Sequence, residues 1–319
     1  MEEKTFDYLP VRRKVNCPII DIHTHTGVRD GFDEYIRSMD LFCVARAVVI
    51  AGIDIAFELK RAHPYRIDIA LMTPWHLLEN PDRLEKEGPD VVEKALDNGC
   101  RIIKFWFAPR SRDRWKIFFD DPRFIPVMQK MEENKMSAII HVSDPDLWFK
   151  TVYSDTSKYG TKLEQYIPLE NVLRRHRGIT FIGAHMAGYP ENLDFVANLL
   201  DNHPNYVVDT SATKWMVREL SKQVEATRSF FQKYRKRILF GTDNFVKPER
   251  DTHLYNTRYW AHQILWETDK VIESSIHDDD IGGKPMIHGI NLPPDVLEDI
   301  YFNNAKRMFP ELYGDLAAG

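Results

Sequence analysis

Apolar residues gather in eight short runs rich in Val, Ile and Phe: PIIDIH, ARAVVIA, RIDIALM, CRIIKFWF, SAIIHV, ITFIGAH, NYVVDTS and RILFGTD, beginning near residues 18, 45, 66, 100, 137, 179, 205 and 237. Between them lie longer segments of helical character. In PDRLEKEGPDVVEKALDNG, Pro81 and Asp82 suit a helix start and Gly99 a stop. PRFIPVMQKMEENK, ENLDFVANLLDNH and the segment from Glu219 to Arg237 are the other clear helical stretches. Continuous apolar runs alternating with helices predict a parallel sheet built from βα units.

Eight such units over 319 residues fit a (β/α)₈ TIM barrel, with residues 1–319 forming a single domain. The competing open doubly wound sheet often carries a glycine-rich phosphate loop, and no GxGxxG or GxxxxGK[ST] occurs here. Two stretches exceed ordinary connections: Ser143 to Tyr166 after the fifth strand, and the long tail after the eighth, including HDDDIGGKPMIHGINLPP. Loops that follow strands crown a barrel's active-site face, so both are expected to shape substrate access. The acidic run Asp278, Asp279 and Asp280 beside His277 reads as a solvated turn rather than a second metal site.

The chain is 43% hydrophobic and 29% charged, enough for a large core without disulfides. Forty-three Lys and Arg stand against 48 Asp and Glu, for a net charge of -5, and the basic residues are scattered. That argues against nucleic acid as a partner. The opening MEEKTFDYLPVRRKVNCP has no apolar stretch of signal-peptide kind, and no window approaches the ~20 apolar residues that span a bilayer. A soluble cytoplasmic protein acting on a small molecule, without membrane contact, is expected. Cys17, Cys43 and Cys100 are too widely spaced for a zinc ribbon or redox pair and read as packed, reduced thiols.

The candidate chemistry sits at the strand ends. In DIHTH, an extended backbone sends His23 and His25 to one face, so two imidazoles converge. His141 follows from IIHV, His185 from FIGAH and Asp243 from LFGTD, each at the C-terminal tip of an expected strand. Alone, each has an ordinary reading: a rim histidine, or an aspartate capping a helix. Together they form the nitrogen and oxygen donor set of a catalytic Zn²⁺ or Mn²⁺ site. Asp21 shares the face of His23 and is either a partner fixing an imidazole or a buried capping acid. Trp106, Arg110 and Trp215 lie at or beyond strand ends, where they could stack on or pair with a planar or anionic substrate.

Together with IIDIHTH, GAHMAGYPENL, ATRSFFQKYRKRILFGTD and DIYFNNAKRMF, these landmarks resemble the amidohydrolase superfamily over nearly the whole chain. The resemblance is to its amidohydrolase-2 branch, which includes aminocarboxymuconate-semialdehyde decarboxylase. It implies one metal per chain on His23, His25, His141 and Asp243, with His185 or Asp243 moving the proton of a metal-activated water. Lys104 in the fourth strand leaves a second arrangement open: binuclear members carry a carboxylated lysine there, with His185 then a ligand too, whereas an ammonium would instead pair with a substrate carboxylate or a neighbouring acid. The expected activity is hydrolysis of an ester, lactone or amide. Nonoxidative decarboxylation of an aromatic or unsaturated acid is the alternative, which two histidines in the first motif mildly disfavour. A catalytically silent barrel is the third reading, against which the retained metal-centre residues argue. The resemblance also implies a homo-oligomer.

Overall fold

The computed structural model describes residues 8–317, so Met1 to Asp7 of the opening segment read above fall outside the described residues. The strands are β1 (Ile19–Thr26), β2 (Val44–Ala51), β3 (Ile67–Met72), β4 (Ile102–Trp106), β5 (Ser137–His141), β6 (Thr180–Gly183), β7 (Tyr206–Asp209), β8 (Ile238–Leu239), β9 (Asn244–Val246), β10 (Val271–Glu273) and β11 (Met286–His288). All eight apolar runs become strands. The short β9 and the β10–β11 hairpin were not anticipated. The chain forms two compact units, residues 49–209 and residues 1–48 with 210–319.

In the unit of residues 49–209, β3 to β7 pair side by side, all parallel, with Met72 opposite Lys104, Trp106 opposite His141, Ile140 opposite Gly183 and Gly183 opposite Val208. Ile102, Ile139, Ile140, Phe181, Ile182 and Val208 are essentially inaccessible, as expected of parallel strands covered on both faces. The covering is helical. Helix Pro81–Asp97 buries Leu84, Gly88, Val92 and Ala95, one face of a 3.6-residue period, and each buried aliphatic side chain contributes roughly 1.5–3 kcal/mol. Gly88 permits the close approach of helix Ile125–Glu133, since a Cβ there would lie 2.4 Å from Val127 Cγ2.

In the other unit, β1 pairs in parallel with β9 through Thr24–Asn244, His25–Phe245 and Thr26–Val246. Between β8 and β9 the chain keeps contact with β1 by two backbone bonds, Ile22 N to Phe240 O (2.9 Å) and Asp243 N to His23 O (2.8 Å). The expected eighth strand is thus interrupted. Gly241 passes so near β1 that a Cβ would meet His23 Cβ at 2.9 Å, and Asp243 turns out of extended geometry with φ 59°. The expected helix over Glu219 to Arg237 is also broken, into Thr213–Leu220, a 3₁₀ turn, Val224–Lys233 and a second 3₁₀ turn. Helix Thr252–Glu267 is capped by Asp251 Oδ1, which accepts from Leu254 N at 3.1 Å.

Two sequence readings need correction. Asp278 is not solvated: it is fully buried, paired with Arg218 and 3.7 Å from Lys214 Nζ, while Asp279 alone stays 89% exposed. A buried guanidinium some sixty residues away supplied the partner that local composition could not reveal. Cys17 and Cys100 are buried thiols whose pKa is pushed up to about 11 by desolvation, but Cys43 is exposed. Among the described residues no helix is long and apolar enough to cross a membrane.

Candidate metal centre

Three sequence candidates meet in the unit that holds β1. Alternation along β1 puts His23 and His25 on one face, and their Nε2 atoms lie 3.1 Å apart. Asp243 Oδ1 is 3.2 Å from His25 Nε2 and 3.8 Å from His23 Nε2, and one donor atom from each of the three residues falls within a common 4.8 Å. Two imidazole nitrogens bound at ~2.05 Å to one tetrahedral zinc would stand about 3.3 Å apart, so the spacing suits a shared ion. Ser211 Oγ lies 3.0 Å from His23 Nδ1, which directs Nε2 toward that point. His23 is fully buried, whereas His25 and Asp243 keep 23% and 28% side-chain exposure, leaving the point accessible.

A buried polar network holds this group. Asp21 accepts from the backbone N–H of His23 (3.1 Å) and of Thr242 (3.2 Å), from Thr242 Oγ1 (2.6 Å) and from Tyr259 Oη (3.0 Å). Tyr259 Oη in turn lies 2.9 Å from Tyr35 Oη, itself 2.8 Å from Thr24 Oγ1. Asp21 therefore grips the backbone next to His23 and Asp243 rather than an imidazole. Burial pushes its carboxyl up to about 6, against the lowering effect of those hydrogen bonds. Arg258 Nη1 donates to Thr242 O from the other side at 3.2 Å.

The second unit gathers the other two histidines. His141 ends β5, and its ring meets that of His185 edge to face, centroids 4.7 Å apart. His185 lies two residues beyond β6, in a run of left-handed backbone: His185, Met186 and Ala187 have φ of 59°, 53° and 59°, closing on Gly188 at 70°. Left-handed conformation costs roughly 1–2 kcal/mol for each L residue, so three in succession need bracing. Asp209 Oδ1 accepts from His185 N at 2.8 Å and Tyr166 Oη donates to Ala187 O at 2.9 Å. At Gly188 the backbone passes so close to Ser143 that a Cβ would fall 2.1 Å from its carbonyl oxygen.

Lys104 is buried in β4, and its carbonyl accepts from both the N–H and the hydroxyl of Thr73. Trp106 is half-buried, its ring edge to face with His141 at 6.3 Å and stacked on Trp75 at 6.3 Å, with Arg114 over Trp75. Arg110 is exposed, and Trp215 is buried within helix Thr213–Leu220. Sequence reading missed Asp144, Asp209, Ser211, Thr242 and Tyr259. Of these, Asp209 carried the signal already used for Asp243, an acid closing an apolar run, in VVDTS.

No curated protein matches the chain. Solved structures do. An uncharacterised TIM-barrel protein from Bordetella bronchiseptica superposes with a TM-score of 0.59 at 15% identity, over 92% of this chain and 99% of its own. A 2,6-dihydroxybenzoate decarboxylase in complex with 2,6-dihydroxybenzoate gives 0.59 at 13% identity, over 93% and 99%. A 5-carboxyvanillate decarboxylase from Novosphingobium aromaticivorans, complexed with manganese and 4-hydroxy-3-methoxy-5-nitrobenzoic acid, gives 0.57 at 11%, over 95% and 98%. These likenesses establish the fold as the (β/α)₈ barrel that the eight apolar runs predict. Residues 20–310 match the amidohydrolase family model, and the chain belongs to that family of enzymes.

Proposed function

We propose that the chain is a metal-dependent hydrolase of a small organic ester, lactone or amide, with one zinc or manganese per chain on His23, His25, His141 and Asp243. The observation that carries this reading is the convergence of two imidazole nitrogens and a carboxylate oxygen within 4.8 Å. Three protein donors of this chemistry are what catalytic zinc sites commonly take. Family membership supports adding His141, because residues closing barrel strands face the active site. When bound, a divalent metal lowers the pKa of water toward ~7 and polarises a carbonyl oxygen.

The protein's own groups do the rest. With Nε2 of His23 given to the metal, Nδ1 carries the ring proton, and Ser211 Oγ at 3.0 Å is placed to accept it. His185, fixed by the left-handed turn, takes the proton of the attacking water, with Asp243 the second candidate for that role. Trp106 and Arg110 orient the substrate by stacking and by charge, and Lys104 pairs with an acid. Metal analysis with chelation tests the proposal. Activity on lactones or esters should vanish with the metal and return on reconstitution, whereas a protein that takes up no metal would defeat the reading.

One observation favours a second reading, nonoxidative decarboxylation of an aromatic acid. The stacked Trp75 and Trp106 with Arg114 beside them form a wall suited to a planar anion, and solved structures of similar fold are decarboxylases of such acids. Release of CO₂ without incorporation of ¹⁸O from labelled water would replace the hydrolase with this activity.

A further inference from the structure

His141 closes β5 with its orientation set by neighbours from the following loop. Its Nε2 lies 3.0 Å from Oδ1 of Asp144, and the other oxygen of that carboxylate accepts a 2.8 Å hydrogen bond from Tyr153 Oη. Asp144 and Tyr153 are each 1% exposed. The guanidinium of exposed Arg110 interacts with the same tyrosine hydroxyl. The long segment from Ser143 to Tyr166, expected from sequence to shape substrate access, therefore also reaches back to β5 through Tyr153.

A carboxylate is acceptor-only, and so is the face it offers a ring nitrogen: the nitrogen opposite must carry hydrogen. Neutral imidazole, the form that binds metals, has only one N–H. With that proton on Nε2, the lone pair is left on Nδ1. We propose that Asp144, backed by Tyr153, is a positioning residue that holds His141 in the Nε2–H tautomer and so assigns Nδ1 as the atom offered to a divalent metal. This rests on the proposed function in counting His141 as a ligand. It adds the ligating atom and the residue that fixes it. Tyr153 keeps the carboxylate from swinging toward the metal, so Asp144 acts through His141 and is not itself a ligand.

Two measurements on the full chain test it. In metal-free protein with ¹⁵N-labelled histidine, the His141 ring should show a protonated Nε2 and a bare Nδ1, a pattern lost in Asp144→Leu. In Zn²⁺ titrations, Asp144→Leu should bind ~10–100-fold more weakly, the usual effect of removing such a partner. Tyr153→Phe should lose less, and Asp144→Asn, whose amide oxygen still accepts from Nε2–H, should recover most of the affinity. A merely structural role would lower the melting temperature without ordering the affinities in this way. Should Asp144→Leu fail to fold, the Asn and Phe variants still decide the matter through their ranking.

The proposal is overturned if wild-type His141 carries its proton on Nδ1, or if folded Asp144→Leu binds Zn²⁺ as tightly as wild type. It is also overturned if Asp144→Asn binds no better than Asp144→Leu, as expected were the carboxylate itself a ligand. A wild type that binds no Zn²⁺ at all defeats the proposed function, and the Nδ1 assignment with it. The nitrogen spectra distinguish that failure from a misplaced tautomer.

Discussion

The two units carry their candidate residues on opposite kinds of support. In the unit of β1, His23 and His25 ride on an extended strand, and the donors converge because Asp21 ties the backbone at His23 to that at Thr242. In the unit of β5 and β6, His185 stands on three consecutive left-handed residues, and side chains and backbone atoms pin it from outside the turn. A strand fixes direction at no conformational cost, which suits residues that must share one ion. A strained turn places a single side chain where regular structure would not reach. On the proposed reading the labour is divided, with His23, His25 and Asp243, joined by His141 from β5, ligating the metal and His185 on the turn after β6 handling the proton.

The largest expected effect tests that division directly. His23→Ala should lose the metal, weakening affinity by more than ~100-fold and abolishing turnover. His185→Ala should retain about one ion per chain yet lower kcat by ~10²–10⁴, the range for a general acid–base group. Metal content by plasma mass spectrometry beside kcat separates the two. If His185→Ala also loses its ion, the turn supplies a ligand and the contrast collapses.

Next in size is the support beneath β1. Asp21→Ala leaves five buried donors, the Thr24 hydroxyl among them, facing a void, and should cost about 3 kcal/mol or more in thermal unfolding. The pH dependence of the metal-free protein carries a sign. Burial raises the Asp21 pKa to about 6, above the ~3.9 of an unfolded aspartate, so its contribution is complete below pH ~4 and is lost as pH rises through about 6. Relative to Asp21→Asn, wild type should lose up to about 3 kcal/mol between about pH 4 and about pH 7. A flat difference across that window would mean that the carboxyl titrates normally. Smaller still is the strain in the other unit: Ala187→Gly, at φ 59°, should stabilise by about 0.5–1 kcal/mol and raise Tm by roughly 1–3 °C.

The same contrast explains what the sequence disclosed. HxH is legible because strand periodicity is local, and helix Pro81–Asp97 because Pro81 and Gly99 mark its ends. His141 could be placed because it closes an apolar run. The geometry of His185 could not, since only Gly188 in HMAG hints at left-handed backbone and the bracing comes from Asp209 and Tyr166, about twenty residues away on either side. Asp243 sits four residues past a two-residue β8, reached because Gly241 lets the chain skirt His23. Nothing in the sequence singles out Asp144. Its meaning depends on Tyr153, whose hydroxyl is brought to it by the fold of a loop that has no sequence period.

The smallest expected effect concerns Lys104, and it bears on how many ions the centre holds. Lys104 is 1% exposed on β4, where a buried ammonium is kept by a neighbouring or substrate acid, whereas a carboxylated lysine would be an anionic bridge for two metals. With one metal, Lys104→Met keeps the side-chain volume and should leave the ion count at about one per chain, with the change appearing in KM if the ammonium pairs with a substrate carboxylate. A count of two in wild type that falls in Lys104→Met would add Lys104 to His141 among the metal ligands. His185 would then be a ligand as well as a base, and the strain of its turn would serve to aim a donor atom at an ion. An unchanged count of one would instead leave ligation with His23, His25, His141 and Asp243, and the left-handed turn with the proton.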